Sequence, residues 1–179
     1  ADFQFELIDL SDKTAIPATI FTTDTSSNKA ADGSYATFDS LTLSGKLFAD
    51  TITFENNKDS GSSAEIMPYI ITTPSQRYAD TEKLTPIIYL FSGSIPVTGN
   101  CAFDINDKTL KEFGLDNPDA IVTLTINGEN KSFKISKIDD ENCAIIYDDA
   151  TMIRKVAANS FEFLSYKAED FYSNKPVSY

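Results

Sequence analysis

Apolar and polar residues alternate through the first third of the chain: Phe3, Phe5 and Leu7 fall two apart, as do Leu41 with Leu43 and Ile52 with Phe54. Successive side chains of a strand point to opposite faces, so this period predicts strands with one buried face. Two stretches rich in Ser, Thr, Asn and Asp interrupt them. Thr22 to Ser34 ends in Asp32-Gly33, Asn56 to Ser63 contains Asp59-Ser60-Gly61-Ser62, and both read as loops. Ile66 to Thr73 reads as a further strand, stopped by Pro74.

The period then changes. Leu84, Ile87, Ile88 and Phe91 recur at i, i+3, i+4 and i+7, one apolar stripe behind Asp80, a good helix N-cap. Pro86 should kink this helix or mark its true first turn, and Gly93 should close it. Ile95 to Phe103 reads as extended. A short helix from Asp107 carries Leu110 and Phe113 on one face. Gly114 suits the left-handed position past its end, Leu115 the accompanying apolar contact, and Pro118 prevents resumption. Val122, Leu124 and Ile126 alternate up to Asn127-Gly128, and Phe133 and Ile135 alternate back; Asn-Gly tolerates the positive φ angles of a type I′ turn, which predicts a hairpin. Cys143 to Tyr147 and Met152 to Val156 read as two more strands around Asp148-Asp149. A final helix from Asn159 carries Phe161, Leu164, Ala168 and Phe171 on one side. The expected class is α+β: antiparallel sheets or meanders with two or three helices packed on them.

Charge and composition remove several functions. The 179 residues include 27 acidic and 15 basic side chains, a net charge of −12, which disfavours binding to a phosphate backbone and sets a nucleic-acid role aside. The absence of histidine removes imidazole bases, His-based triads and His-ligated zinc. No Ser-x-x-Lys stands at a helix start, so nucleophilic catalysis lacks a positioned base. Cys101 and Cys143 lack CxxC spacing; they are either two buried small residues or a disulfide closing a long loop. No apolar run reaches the length of a bilayer-spanning helix. The start, Ala1-Asp2-Phe3-Gln4-Phe5, reads as a strand already under way, so a leader or anchor is expected to have preceded it.

The stretch Leu110-Lys111-Glu112-Phe113-Gly114-Leu115-Asp116-Asn117-Pro118, followed by Ala120-Ile121-Val122-Thr123-Leu124-Thr125, resembles the "yGLdnPaatvtvt" signature of a bacterial envelope family, domain-of-unknown-function family 4340. The Ala79-Asp80 helix start, the strand from Lys131 to Lys137, the hairpin from Ile146-Tyr147 to Val156 and the tail from Ser160 to Lys175 are similar to that family in the same order, with Ser136 where a glycine is usual. The resemblance runs from Ile66 to Pro176 and divides the chain into a strand-rich part, residues 1–60, and an α+β unit, residues 61–179. Phe5 to Lys13 faintly echoes Phe163 to Lys175, which makes the first part a candidate remnant of a preceding copy, a degenerate duplication. The resemblance implies an exported protein tethered by an N-terminal transmembrane helix, an auxiliary part of gliding-motility-type ABC transporters with no established catalytic residues. It gives Gly114 a positive φ, and Asp116, Asn117 and Pro118 a turn entering a strand.

Candidate sites compete with plainer roles. Asp139-Asp140-Glu141 and Asp148-Asp149 suit a hard cation, yet they fall in turns at opposite ends of one strand, where a single ion cannot collect both. Solvated turn acids are the better reading, and no metal or cofactor is expected. Tyr69, Tyr78, Tyr89, Tyr147, Tyr166 and Tyr172 either form a recognition surface or cap the core with a wet hydroxyl. Pro68 and Pro74 flank a strand and mark it as an edge, so Tyr69, Ile71 and Thr73 are the expected contact for a partner strand. The leading expectation is a non-catalytic extracytoplasmic domain that binds a protein partner in the envelope. A secreted module for glycan, peptide or calcium is the rival, and a hydrolase with paired carboxylates a distant third.

Overall fold

The alternation at Leu41, Leu43, Ile52 and Phe54 becomes two paired strands, β2 (Ser40–Ser44) and β3 (Ile52–Asn56), with Leu41 opposite Phe54 and Leu43 opposite Ile52. The computed structural model describes residues 19–21, 38–57, 69–92, 94–126 and 128–174. Phe3 to Leu7, the loop from Thr22 to Ser34, most of the loop from Asn56 to Ser63, and residues 66–68, Gly93 and Asn127 lie outside the described residues, as does the segment that echoes the tail.

In chain order the elements are β1 (Thr19–Phe21), β2, β3, β4 (Tyr69–Thr73), β5 (Arg77–Tyr78), helix α1 (Thr81–Ser92), β6 (Ser94–Pro96), β7 (Gly99–Ala102), helix α2 (Asp107–Glu112), β8 (Ala120–Ile126), β9 (Glu129–Lys137), β10 (Asn142–Tyr147) and β11 (Ile153–Ala157). Two 3-10 segments follow, Ala158–Ser165 and Ala168–Phe171. β1 and β6 form a two-stranded antiparallel ribbon. The other nine strands form one antiparallel sheet in the order β5-β4-β3-β2-β8-β9-β10-β11-β7. The architecture is α+β, and β2 and β3 lie inside the same sheet as the strands of the second predicted part.

Local chemistry explains the helices. Asp80 Oδ1 accepts the Glu82 N–H at 2.9 Å and starts α1, whose stripe Leu84, Ile87, Ile88 and Phe91 is buried. Pro86 stands inside the helix, past its first turn, and the chain stays helical to Ser92. α2 opens on a capping box: Asn106 Oδ1 accepts the N–H groups of Lys108 and Thr109, each at 3.0 Å, and Thr109 Oγ1 accepts the Asn106 N–H at 2.9 Å. It ends as expected. Gly114 has φ +70°, its N–H reaches Lys111 O at 3.2 Å, and the Leu115 N–H reaches Leu110 O at 2.7 Å, the paired bonds of a Schellman cap. The β8–β9 hairpin keeps register from Ala120–Ile135 to Ile126–Glu129, with Gly128 at φ +78° in the turn.

The predicted last helix is a correction. Phe161, at φ −119° and ψ 48°, breaks the turn, and two 3-10 segments replace one α-helix. Residues two apart on an α-helix point to nearly opposite sides. Phe161, Phe163 and Leu164 are all buried, which the break permits and a regular helix does not.

The sheet separates two apolar clusters. On one face Leu41, Leu43, Phe54, Ile71, Val122, Phe133 and Ile145 meet α1 and the 3-10 segments, and Phe91 contacts the rings of Phe133, Phe161 and Phe163. On the other face Leu115, Ala144 and Ile153 form a smaller cluster with Leu110 and Phe113 of the α2 region. Beyond that cluster the second face is polar: Ser40 Oγ donates to Thr125 Oγ1 at 3.0 Å and Thr42 Oγ1 lies 3.4 Å from Thr53 Oγ1.

Candidate functional site

The predicted contact edge is not an edge. β4 pairs with β3 on one side and with β5 on the other, Ile70 opposite Tyr78 and Ile71 opposite Arg77. Tyr69 stacks on Phe38 with ring centroids 5.0 Å apart, Ile71 is fully buried, and of the three predicted residues only Thr73 is exposed. The chain folds back after Pro74 and covers the strand with two residues, too few to leave a periodic signal. β5 is in turn overlaid by the C-terminal segment. Ala79 bridges Tyr172, the Ser173 N–H reaches Tyr78 O at 2.9 Å, and the Asp80 N–H reaches Phe171 O at 2.7 Å. Phe171 anchors this strap in the core, its ring edge-on to Phe54 at 5.1 Å.

The opposite end of the sheet is built differently. Among the described residues β7 pairs with β11 alone, Ala102 opposite Ile153, Asn100 opposite Arg154 and Gly99 opposite Lys155, with a bulge in the register. No charged residue occurs from Leu84 to Phe103. Phe103, just past the strand, is 63% exposed.

Both cysteines are free thiols and lie toward opposite faces, Cys143 in the main core and Cys101 beside the smaller cluster. The disulfide alternative is therefore not the one formed. Burial pushes the Cys143 thiol up to about 11, and it raises Cys101 as well, with nearby Lys155 acting the other way. Thiols so shifted stay protonated at neutral pH and make poor nucleophiles.

The motif from Gly114 to Pro118 joins three elements. Leu115 and Pro118 are buried, whereas Asp116 and Asn117 are exposed. Ser136 Oγ donates to Gly114 O at 2.8 Å and accepts the Asp119 N–H at 3.3 Å, so this serine bridges the end of α2 to the start of β8. Pro118 O accepts the Lys46 N–H, and Asp119 pairs with Lys46 Nζ at 3.1 Å while accepting the Lys137 N–H at 2.8 Å. Gly45, at φ +118°, allows this approach, since a Cβ there would stand 2.7 Å from Ala120 Cα.

The turn acids are engaged locally. Asp139 Oδ1 accepts the N–H groups of Glu141 and Asn142, at 2.9 and 2.8 Å, and the Asn142 side-chain amide at 2.9 Å; these bonds, first that of the Glu141 N–H and then that of the Asn142 amide, hold its carboxyl below the usual range. Asp148 Oδ2 accepts the Ser132 N–H at 2.7 Å. The two sit at opposite ends of β10, and among the described residues no group of three Cys, Asp or Glu side chains is placed to hold a metal ion. Of the tyrosines, Tyr69, Tyr147, Tyr166 and Tyr172 pack into or against the main core, and Tyr89 is exposed.

One hollow of about 360 Å³ opens between the β2–β3 turn and the second 3-10 segment, lined by Leu47, Phe48, Asp50, Tyr166 and Glu169 among others. Tyr166 also lines a smaller one of about 140 Å³, where Lys83 Nζ stands 4.3 Å from its ring centroid. Sequence reading singled out Tyr166 but not this pairing, which needs α1 and the C-terminal segment side by side. No described helix is long and apolar enough to cross a membrane. Comparison with family models, curated proteins and solved structures finds no match to the chain.

Proposed function

We propose that the chain is a non-catalytic, extracytoplasmic protein-interaction domain, an accessory to an envelope complex of the ABC-transporter kind. In the full-length protein it is anchored to the membrane. The observation that carries this reading is the use made of reactive side chains among the described residues. Asp80, Asp119, Asp139 and Asp148 accept main-chain N–H bonds, Ser136 bridges two main-chain groups, and burial keeps both thiols protonated. These groups stabilise turns scattered over the fold; catalysis asks such groups to converge on one reacting atom. The resemblance around Gly114 to Pro118 supports the same reading. Gentle purification after crosslinking in the producing cells is the test. Co-recovery of permease or ATPase subunits is expected, and recovery of the chain alone would overturn it.

The hollow beside Tyr166 favours a second reading, a secreted module for a small glycan, peptide or calcium. A thermal-shift screen separates the two, because a ligand held a hundredfold above its dissociation constant adds about 2.7 kcal/mol of stability.

A further inference from the structure

The walls of the larger hollow beside Tyr166 are held by bonds of their own. On one side main-chain bonds pin the turn between β2 and β3: the Lys46 N–H reaches Pro118 O at 3.2 Å, the Leu47 N–H Asp119 O at 3.0 Å and the Phe48 N–H Gly45 O at 3.2 Å. On the other, Asp170 Oδ2 accepts the Lys167 N–H at 2.7 Å, and the buried Phe171 meets the Tyr166 ring edge-on at 5.5 Å. A site with fixed walls loses little binding energy to ordering itself. Its volume of about 360 Å³ lies within the about 300–1,000 Å³ usual for small-ligand pockets.

The lining combines three chemistries. Phe48 and Ile52 are buried and apolar, Asp50 and Glu169 bring an exposed carboxylate from each wall, and Lys167 brings an exposed ammonium. Calcium is poorly served, since among the described residues no group of three Cys, Asp or Glu side chains is placed to hold a metal ion. A sugar ring stacks on an aromatic face, and one face of Tyr166 already carries Lys83 Nζ. An apolar molecule with an ammonium at one end and a carboxylate at the other finds a counterpart for each of its parts.

We propose that this hollow binds a short peptide with large apolar side chains and both termini free, of the size of leucyl-leucine. Its ammonium meets Asp50 and Glu169, its carboxylate meets Lys167, and its side chains cover Phe48, Ile52 and Tyr166. The inference rests on the second reading of the chain, a secreted ligand-binding module, and names the ligand class of that hollow.

The test is an NMR titration of the chain with leucyl-leucine, N-acetyl-leucyl-leucine, leucyl-leucine amide and glycyl-glycine. Leucyl-leucine is expected to bind and to shift the amide signals of Ala49 and Ala168, which line the hollow. Glycyl-glycine, which lacks apolar side chains, is expected not to bind. Blocking either terminus should weaken binding about twofold to fivefold, the range of exposed ion pairs. Lys167→Gln should then erase the difference between leucyl-leucine and its amide. Asp50→Asn with Glu169→Gln should erase that between leucyl-leucine and its acetylated form. All three side chains are exposed, so the variants keep the fold, which their melting temperatures verify. Blocked dipeptides that bind as tightly as the free one, or differences that survive the substitutions, overturn the proposal. Failure of the dipeptide while calcium or a glycan raises the melting temperature overturns it and leaves the module reading standing; no binding by any of them overturns both.

Discussion

The two ends of the nine-stranded sheet solve the same problem in opposite ways. At one end β5 is only two residues long, yet the strap from Phe171 to Ser173 overlays it with main-chain bonds and pins itself with a buried ring. At the other, the longer β7 ends the sheet with no described strand beyond it, and Phe103, just past it, is 63% exposed. Sequence-distant pairing, Ala79 with Tyr172, closes the first end. Whether a strand is an edge is thus decided by chain that arrives much later, and among the described residues the shorter strand is the one with cover.

The sharpest way to break the contrast is to cut the strap's anchor. Phe171→Ala removes a fully buried ring and should cost about 3–5 kcal/mol of stability in urea unfolding, with faster hydrogen exchange at Ala79 and Asp80. Equal exchange in both proteins would mean that the strap does not close this end. Next comes the support under the open end. Leu115→Ala, in the small cluster with Ala144 and Ile153, should cost about 2–4 kcal/mol and loosen α2 and β11 before the β5 end.

The thiols report on the two regions through pH. Burial raises Cys143 from 9.0 to about 11 in the folded protein, and the neutral thiol is the favoured form there. Its contribution is therefore complete below pH 9 and is lost as pH climbs from 9 towards 11, where the unfolded chain releases the proton first. Cys143→Ala should flatten the fall of stability across that window, measured as the difference in urea midpoint between pH 8 and 10.5. Cys101→Ala should flatten it less, since Cys101 is only half-buried at the open end. Equal flattening would place both thiols in equivalent surroundings.

Much of the strand pattern was legible because it is local. Leu41 with Leu43, Ile52 with Phe54, and the β8–β9 alternation each state which side chains face inward, and Gly114 states where a helix ends. The candidate edge was misread for a physical reason: Pro74 stops β4, as prolines near edges do, but the covering residues Arg77 and Tyr78 have no period to detect. The spacing of Phe161, Leu164, Ala168 and Phe171 fits a helix, but the burial of Phe163 between them demands a break. The cap at Asn106 depends on the bond that Thr109 returns to it, a reciprocity that residue types alone do not fix. The hollow beside Tyr166 was not legible, because its walls come from the β2–β3 turn and the C-terminal segment.

A smaller effect tests the joint between α2 and the open end. Asn106→Ala removes the one side-chain oxygen that accepts both the Lys108 and Thr109 N–H groups and should cost about 1 kcal/mol in thermal unfolding, with Asn106→Gly costing less. A loss as large as that of Leu115→Ala would mean that the cap, rather than the cluster beneath it, holds this region together.

The smallest expected change is the most informative about the comparison. Phe103→Ala removes the same side chain as Phe171→Ala, but from a site 63% exposed rather than fully buried. A ring already in water leaves little cavity and loses little transfer energy when truncated, so stability should stay within about 0.5 kcal/mol of the parent chain. Two phenylalanines at opposite ends of one sheet then differ several-fold in their effect, read by the same urea titration. A cost near that of Phe171→Ala would show that Phe103 is buried in solution and that the open end is covered. A negligible cost keeps the two ends of the sheet distinct, because folding then depends on the ring at one end and not on the ring at the other.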